Sequence, residues 1–336
     1  MRRPWTLWAA LVIISYLATI DLFAWSRADR ILASAGALLL VIVAILVFRT
    51  PVAPSPFVNA YERALFACVI LFAGWVAFWG LLLPARIANA LPFTVPPLHA
   101  QFLGAMYLSG AVGLTMNLFA REWREIRVTT AMLAIWTGML GLVSLFQFGA
   151  FDWSRPQTWF WFFAYICFPL VAAWIAWSQR VDQSSNCPST TAPSTSSAAS
   201  AQGDTGGAPR LSASLRNYLI AQGAIATLLA LGLLLAPSFM TTIWPWTITP
   251  LLAQLYSAPF LAYGIGSLYA ARQRTWGEVR IVVTTVLVFA LGVLVASTLH
   301  ANLFNPHALA AWLWFGGFFL VSVMSLLFWL KQLSSR

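Results

Sequence analysis

Long apolar stretches separated by short polar turns recur along the chain, and they constrain its fold more than any other feature. Hydrophobic residues make up 60% of the 336 residues, and charged residues make up only 8%. A soluble globular protein carries about 25% charged residues, and a disordered chain is rich in charge and poor in aromatic residues, so both classes are excluded. A membrane-spanning helix needs about 20 apolar residues. The pattern therefore predicts an all-α integral membrane protein.

The apolar runs predict about ten transmembrane helices. Their approximate bounds are Trp5–Trp25, Ile31–Phe48, Ala64–Leu83, His99–Ala120, Val128–Phe148, Thr158–Trp177, Asn217–Leu235, Leu251–Ala271, Ile281–Leu299 and Ala308–Leu330. The first run has the basic start of a signal peptide, but it is too long and no convincing small-residue cleavage site follows it. We therefore expect this run to be a retained first span.

The distribution of basic residues predicts the orientation. With the N-terminus in the cytoplasm, 15 of the 19 Lys and Arg residues fall inside, and only Arg27, Arg30, Arg86 and Arg155 fall outside. Such a bias is typical of cytoplasmic loops, so we expect a multi-pass protein of the plasma (cell inner) membrane with both termini in the cytoplasm. The net charge of +10 is spread between apolar runs. It indicates contact with membrane lipids and no nucleic acid.

An internal duplication is the most informative feature. Residues 80–177 align with residues 233–330 without a gap at an offset of 153, with 21 identities in 98 pairs. The strongest match is the block R-x-W-x-E-[IV]-R, whose residues are Arg121, Trp123, Glu125 and Arg127 in the first copy and Arg274, Trp276, Glu278 and Arg280 in the second. Each copy holds an even number of spans, so both copies should have the same orientation, related by an axis along the membrane normal.

The predicted helices are thus arranged as 2 + 4 + 4. Residues 1–60 hold two N-terminal helices, residues 61–177 the first four-helix repeat, and residues 217–336 the second repeat with a short cytoplasmic tail. Residues 178–216, rich in Ser, Thr, Pro and Gly, are expected to form a flexible cytoplasmic linker. This linker is either a plain spacer or a phosphorylatable tether.

Small and polar residues recur at every fourth position of the fourth and eighth spans. The polar members are Gln101, Ser109 and Asn117 in the first copy and Gln254 in the second. Small residues at this spacing let helices approach closely, so helix packing is one interpretation. The alternative is a polar pocket near the outer leaflet, which would be asymmetric because Ser109 and Asn117 have no polar counterpart.

The two R-x-W-x-E-[IV]-R blocks are predicted to lie in short cytoplasmic turns. There the arginines would hold the turn inside and the tryptophans would suit the interface. Within each block, Arg121–Glu125 and Arg274–Glu278 would be i,i+4 pairs worth a few tenths of a kcal/mol. Catalysis or ligand binding is the alternative interpretation.

On the outer side, the apolar loops 84–97 and 237–250 are expected to lie in the interface or to dip into it as re-entrant segments covered by protein. His99, His300 and His307 are also expected at this face, with a spacing that matches no metal or haem motif. We therefore predict no metal and no cofactor.

Three function classes remain open. A non-enzymatic protein that binds a lipid or another membrane protein and supports assembly fits the small-residue stripe. A transporter or permease for a neutral or lipidic substrate, with its path between the two copies, fits the parallel duplication, and a closed, dry interface between the fourth and eighth spans would count against it. A lipid-modifying membrane enzyme is the third class, although no acid, base or metal constellation is identifiable.

Overall fold

The structure is a computed structural model that describes residues 60–85, 87, 91–93, 95–185 and 211–334. The α-helices in these ranges are α1 (Ala60–Leu82), α2 (Pro97–Leu118), α3 (Trp123–Phe146), α4 (Pro156–Ser185), α5 (Ala213–Leu235), α6 (Pro237–Ile243), α7 (Pro250–Ala270), α8 (Trp276–Leu299) and α9 (Leu309–Ser334). The described residues contain no β-strand. The first two predicted spans and most of the predicted linker lie outside these ranges.

Seven of the helices, namely α1, α3, α4, α5, α7, α8 and α9, are long and apolar enough to cross a membrane. The chain is therefore an all-α membrane protein, as the sequence predicts. Helix α2 covers the predicted span His99–Ala120 but is not among the seven. It carries the polar residues His99, Gln101 and Asn117, and most of its 22 residues are buried. Helix α2 tolerates these polar residues because protein surrounds most of it.

The helix starts follow from signals in the sequence. Helices α2 and α7 each begin with proline at their first turn, where the missing N–H would have no helical partner in any case. Helices α3 and α8 each begin with a capping box, formed by Glu122 with Glu125 and by Thr275 with Glu278. The starts of α2 and α7, of α3 and α8, and of α4 and α9 are each separated by 153 residues.

Four helices form the centre of the bundle. Helix α2 packs against α8, and α7 packs against α3, while α3 and α8 also contact each other. Helices α1, α4, α5 and α9 pack outside them, against α2, α3, α7 and α8 respectively. Helix α2 contacts α8 more extensively than it contacts α3, its neighbour in sequence. The two predicted repeats therefore interlock through their central helices.

Burial follows this arrangement. About 72% of the apolar window of α7 is buried inside the protein, compared with 22% for α5 and α9 and 28% for α4. The exposed faces of the outer helices carry large apolar side chains such as Phe163, Leu228 and Phe319. These faces suit contact with lipid tails, which are as apolar as the side chains themselves.

The described ends of the predicted linker, residues 178–216, are largely helical. Helix α4 continues to Ser185 and α5 begins at Ala213, so helix occupies both described ends of the predicted linker.

In the loop that follows α5, the short helix α6 precedes Trp244, Trp246 and Ile248, all of which are buried in the main apolar core. Protein therefore covers the two tryptophans and Ile248, while Thr247 and Thr249 beside them are exposed.

Candidate functional site

Two ion pairs join α3 to α8 at the arginine-rich end of the bundle, which consists of the α2–α3 turn (residues 119–122) and the α7–α8 turn (residues 271–275). Arg280 Nη2 lies 2.5 Å from Glu125 Oε2, and Arg127 Nη2 lies 3.4 Å from Glu278 Oε1. Arg127 also donates a hydrogen bond to the side chain of Gln273. Each pair joins the arginine of one block to the glutamate of the other.

The same two glutamates hold the starts of their own helices. Glu125 Oε1 accepts the backbone N–H of Arg121 at 3.1 Å, and Glu278 Oε2 accepts the backbone N–H groups of Arg274 at 2.8 Å and of Thr275 at 3.1 Å. Arg121 and Arg274 precede the helix starts, and their contacts with Glu125 and Glu278 are cap hydrogen bonds of the backbone N–H groups, which differ from the predicted i,i+4 side-chain pairs. Each carboxylate therefore fixes a helix start and binds an arginine of the other block.

The tryptophans of the two blocks lie against protein. Trp123 is only 7% exposed and belongs to an apolar cluster with Ile126, Ala172 and Ile175. Trp276 is half-buried and packs against the main core. The two tryptophans anchor the turns to the bundle, and part of Trp276 remains at the surface.

The two glutamines of the predicted stripe make equivalent contacts. Gln101 Nε2 donates to the carbonyl oxygen of Leu81 at 3.1 Å, and Gln254 Nε2 donates to that of Leu234 at 3.2 Å. Gln254 Oε1 also accepts a hydrogen bond from Gln147 Nε2 at 2.6 Å. Both glutamines thus bind an outer helix to a central one.

Ser109 and Asn117 are fully buried, and each forms a hydrogen bond within the protein, although Asn117 Nδ2 has no partner among the described residues. The Ser109 hydroxyl donates to the carbonyl oxygen of Met106 at 2.6 Å and also contacts the Tyr263 hydroxyl of α7. Asn117 Oδ1 accepts a hydrogen bond from Thr129 Oγ1 at 2.8 Å. Gln101 and Asn117 are about 24 Å apart along the axis of α2 at the helical rise per residue. The structure therefore does not gather the four polar residues into one pocket.

The small residues of the stripe lie where central helices cross. A Cβ atom added at Gly113 would collide with Thr285 of α8, and one added at Gly266 would collide with Met132 of α3. Ala105 lies at a third such point, where its Cβ would be 2.7 Å from a Cβ added at Gly292. Close approach at these crossings requires the absence of a larger side chain.

Aromatic side chains fill the space between α2, α7 and α9 at the opposite end of the bundle. Phe102 of α2 lies 4.7 Å from Tyr256 of α7 and 5.8 Å from Trp314 of α9 between ring centroids. Trp246 covers this group, 4.7 Å from Trp314. His99 Nδ1 is hydrogen-bonded to the Tyr256 hydroxyl at 2.6 Å. Large side chains thus connect α2 to α7 at the end of the bundle where the sequence allowed a polar pocket as one interpretation.

A small cavity remains beside this aromatic group. Its lining includes Phe93, Tyr107, Trp136, Trp161 and Tyr256 and is almost wholly apolar, and it leaves room for about one water molecule. Apart from this cavity, side chains such as Phe102, Tyr256 and Tyr263 close the space between α2 and α7.

Sequence reasoning missed one further pair of contacts. Trp161 Nε1 donates to the Ser144 hydroxyl at 2.8 Å, and Trp314 Nε1 donates to the Ser297 hydroxyl at 2.9 Å. These four residues are identical pairs at the interval of 153. That interval was the signal that could have identified them.

Among the described residues, no group of three or more His, Cys, Asp or Glu side chains is arranged to hold a metal ion. Comparison of the chain with protein-family models, with curated proteins and with solved structures gave no match.

Proposed function

We propose that the protein is a non-enzymatic membrane scaffold, meaning a rigid helical framework that binds a lipid or another membrane protein on its outer faces and supports assembly in the bilayer. The observation that carries this proposal is the filled interface between the repeats. Ion pairs close it at the arginine-rich end and aromatic side chains close it at the opposite end.

The duplication is part of this proposal: two copies of a four-helix unit, both in the same orientation, follow two N-terminal spans. The recurrence of helix starts every 153 residues supports it. So do the paired hydrogen bonds of Gln101 and Gln254 and of Trp161 and Trp314. An approximate two-fold axis through the contact of α3 with α8 would relate these bonds.

We also propose a location in the cell inner membrane with the arginine-rich end in the cytoplasm. Arginines in short loops favour this orientation by the positive-inside rule. The exposed Arg121, Arg124, Arg272 and Arg274 all lie at this end.

The alternative is a transporter for a neutral or lipidic substrate, which the parallel duplication would suit. Its path would run between α2 and α7, where Ser109 contacts Tyr263 and the side chains are fully buried. A path there would require the central helices to separate, and the closed interface favours the scaffold over this alternative.

Native mass spectrometry of the protein released in mild detergent tests the proposal. We expect a reproducible lipid adduct or a co-purifying protein at fixed stoichiometry. A bare 37.0 kDa chain under all mild conditions would contradict the scaffold and make transport of a weakly bound substrate the next hypothesis to test.

A further inference from the structure

Three exposed arginines lie where the start of α5 contacts the α7–α8 turn, a place called here the arginine corner. Arg272 and Arg274 belong to the α7–α8 turn, and Arg216 lies in the second turn of α5. The backbone N–H of Leu211, just before α5, donates to the carbonyl oxygen of Arg274 at 2.7 Å. This hydrogen bond holds the start of α5 against the turn that carries the other two arginines.

The turn directs its polar side chains in two directions. Gln273 is buried, bonded to Arg127 and to the carbonyl oxygen of Tyr269, while Arg272 and Arg274 on either side of it are exposed. Among the described residues, neither of these two arginines nor Arg216 forms an ion pair. The corner therefore presents unneutralised positive charge to its surroundings.

Three described carboxylates at this end of the bundle are already engaged. Glu125 and Glu278 pair with arginines of the opposite repeat and cap their helices, and Glu122 pairs with Arg124. The first turn of α5 contains no acidic residue. An external anion at the corner of Arg216, Arg272 and Arg274 would meet no competing carboxylate from these groups.

An apolar surface continues from the charged corner. Ile220 is one helical turn beyond Arg216 on the same face of α5, and it is 44% exposed. Leu231, three turns beyond Ile220 on the same side of α5, is 39% exposed. A charged corner at the end of a membrane-spanning helix, followed by exposed aliphatic side chains, has the polarity profile of a phospholipid.

We propose that the corner formed by Arg216, Arg272 and Arg274 binds the phosphate headgroup of an anionic phospholipid, whose acyl chains lie along the exposed face of α5. This inference rests on the proposed lipid-binding function and names its lipid class and its site. Guanidinium groups bind phosphate oxygens through paired N–H donors. Basic side chains near the membrane surface attract anionic lipids by about five-fold in affinity for each arginine.

The test uses the full chain in neutral detergent, titrated with phosphatidylglycerol or with phosphatidylcholine of the same acyl chains, with bound lipid counted by native mass spectrometry. We expect preferential binding of phosphatidylglycerol that weakens as NaCl is raised from 0.1 to 1 M, because salt screens exposed charges. The triple variant R216Q/R272Q/R274Q should lose that preference by on the order of 100-fold.

The matched control is R121Q/R124Q in the corresponding turn of the first repeat, which should keep most of the preference because Arg124 is already paired with Glu122. The charge-preserving variant R216K/R272K/R274K should also keep most of the preference for phosphatidylglycerol. This variant tests the site if the triple glutamine variant does not fold. Equal binding of the two lipids, a preference insensitive to salt, or full retention in the triple glutamine variant would overturn the site. Equal binding of both lipids would leave the lipid-binding function standing, whereas absence of any lipid or partner would remove the function itself.

Discussion

The ion pair between Arg280 and Glu125 makes a quantitative prediction about how α3 and α8 are held together. Two opposite charges about 4 Å apart interact by about 4 kcal/mol at the effective dielectric of a protein surface. The Arg280 side chain is 34% exposed and that of Glu125 is 15% exposed, so solvent screening reduces this value. We expect a net coupling of about 1–2 kcal/mol between the two side chains.

The perturbation is a double-mutant cycle of Arg280→Gln and Glu125→Gln. Arg280→Gln should lower the free energy of unfolding by about 1–2 kcal/mol, because Glu125 keeps its backbone N–H partners. Glu125→Gln should cost about 2–3 kcal/mol, since it also weakens the cap of α3. The double variant should be less destabilised than the sum of the two by the coupling energy.

The assay is equilibrium unfolding of detergent-solubilised protein by SDS, followed by tryptophan fluorescence. Arg124→Gln is the matched control, because the side chain of Arg124 is 58% exposed in its pair with Glu122 and its loss should cost under about 0.5 kcal/mol. A coupling below about 0.3 kcal/mol would refute the reasoning that these ion pairs hold α3 to α8.

Three further outcomes are expected from the same unfolding measurement. Gly113→Leu should destabilise the protein by about 1–3 kcal/mol through overpacking against Thr285. The control Gly316→Leu should be nearly neutral, because a Cβ added there meets nothing within 4 Å. Equal losses of stability in the two variants would contradict the close crossing at Gly113. Gln101→Leu combined with Gln254→Leu should leave a folded protein, with a loss of about 1 kcal/mol per hydrogen bond and unchanged lipid retention; loss of a bound ligand with the fold intact would indicate a pocket. Trp314→Phe should cost about 1 kcal/mol because Ser297 loses its indole donor, and an unchanged stability would show that this bond is not needed.

The helices could be predicted because their signals are local. Apolar runs of span length, prolines at the starts of α2 and α7, and a glutamate three residues after each cap of α3 and α8 are all readable along the chain. The interval of 153 residues likewise requires no structure. The eight predicted spans that fall on described residues accordingly correspond to helices α1–α5 and α7–α9.

The contacts between repeats could not be predicted in the same way. A sequence shows that Arg127 and Arg280 belong to matching blocks, but not that each binds the glutamate of the other block. It also does not show which helix is central, because α2 and an outer helix such as α5 differ in burial more than in length. For the same reason, the sequence did not indicate that Tyr256 and Tyr263 contact α2.

The closed interface between α2 and α7 is the central claim, and cysteine accessibility tests it most directly. In a variant that lacks Cys68, Cys167 and Cys187, Ser109→Cys places a thiol at a fully buried position beside Tyr263. Ser154→Cys is the matched control, because Ser154 is exposed in the loop between α3 and α4. The two proteins are reconstituted in lipid vesicles and treated from both sides with a membrane-impermeant maleimide. We expect labelling of the control thiol and no labelling at position 109. Labelling at position 109 to an extent comparable with the control would mean that the repeats separate to admit water, and it would contradict the scaffold in favour of a transport path.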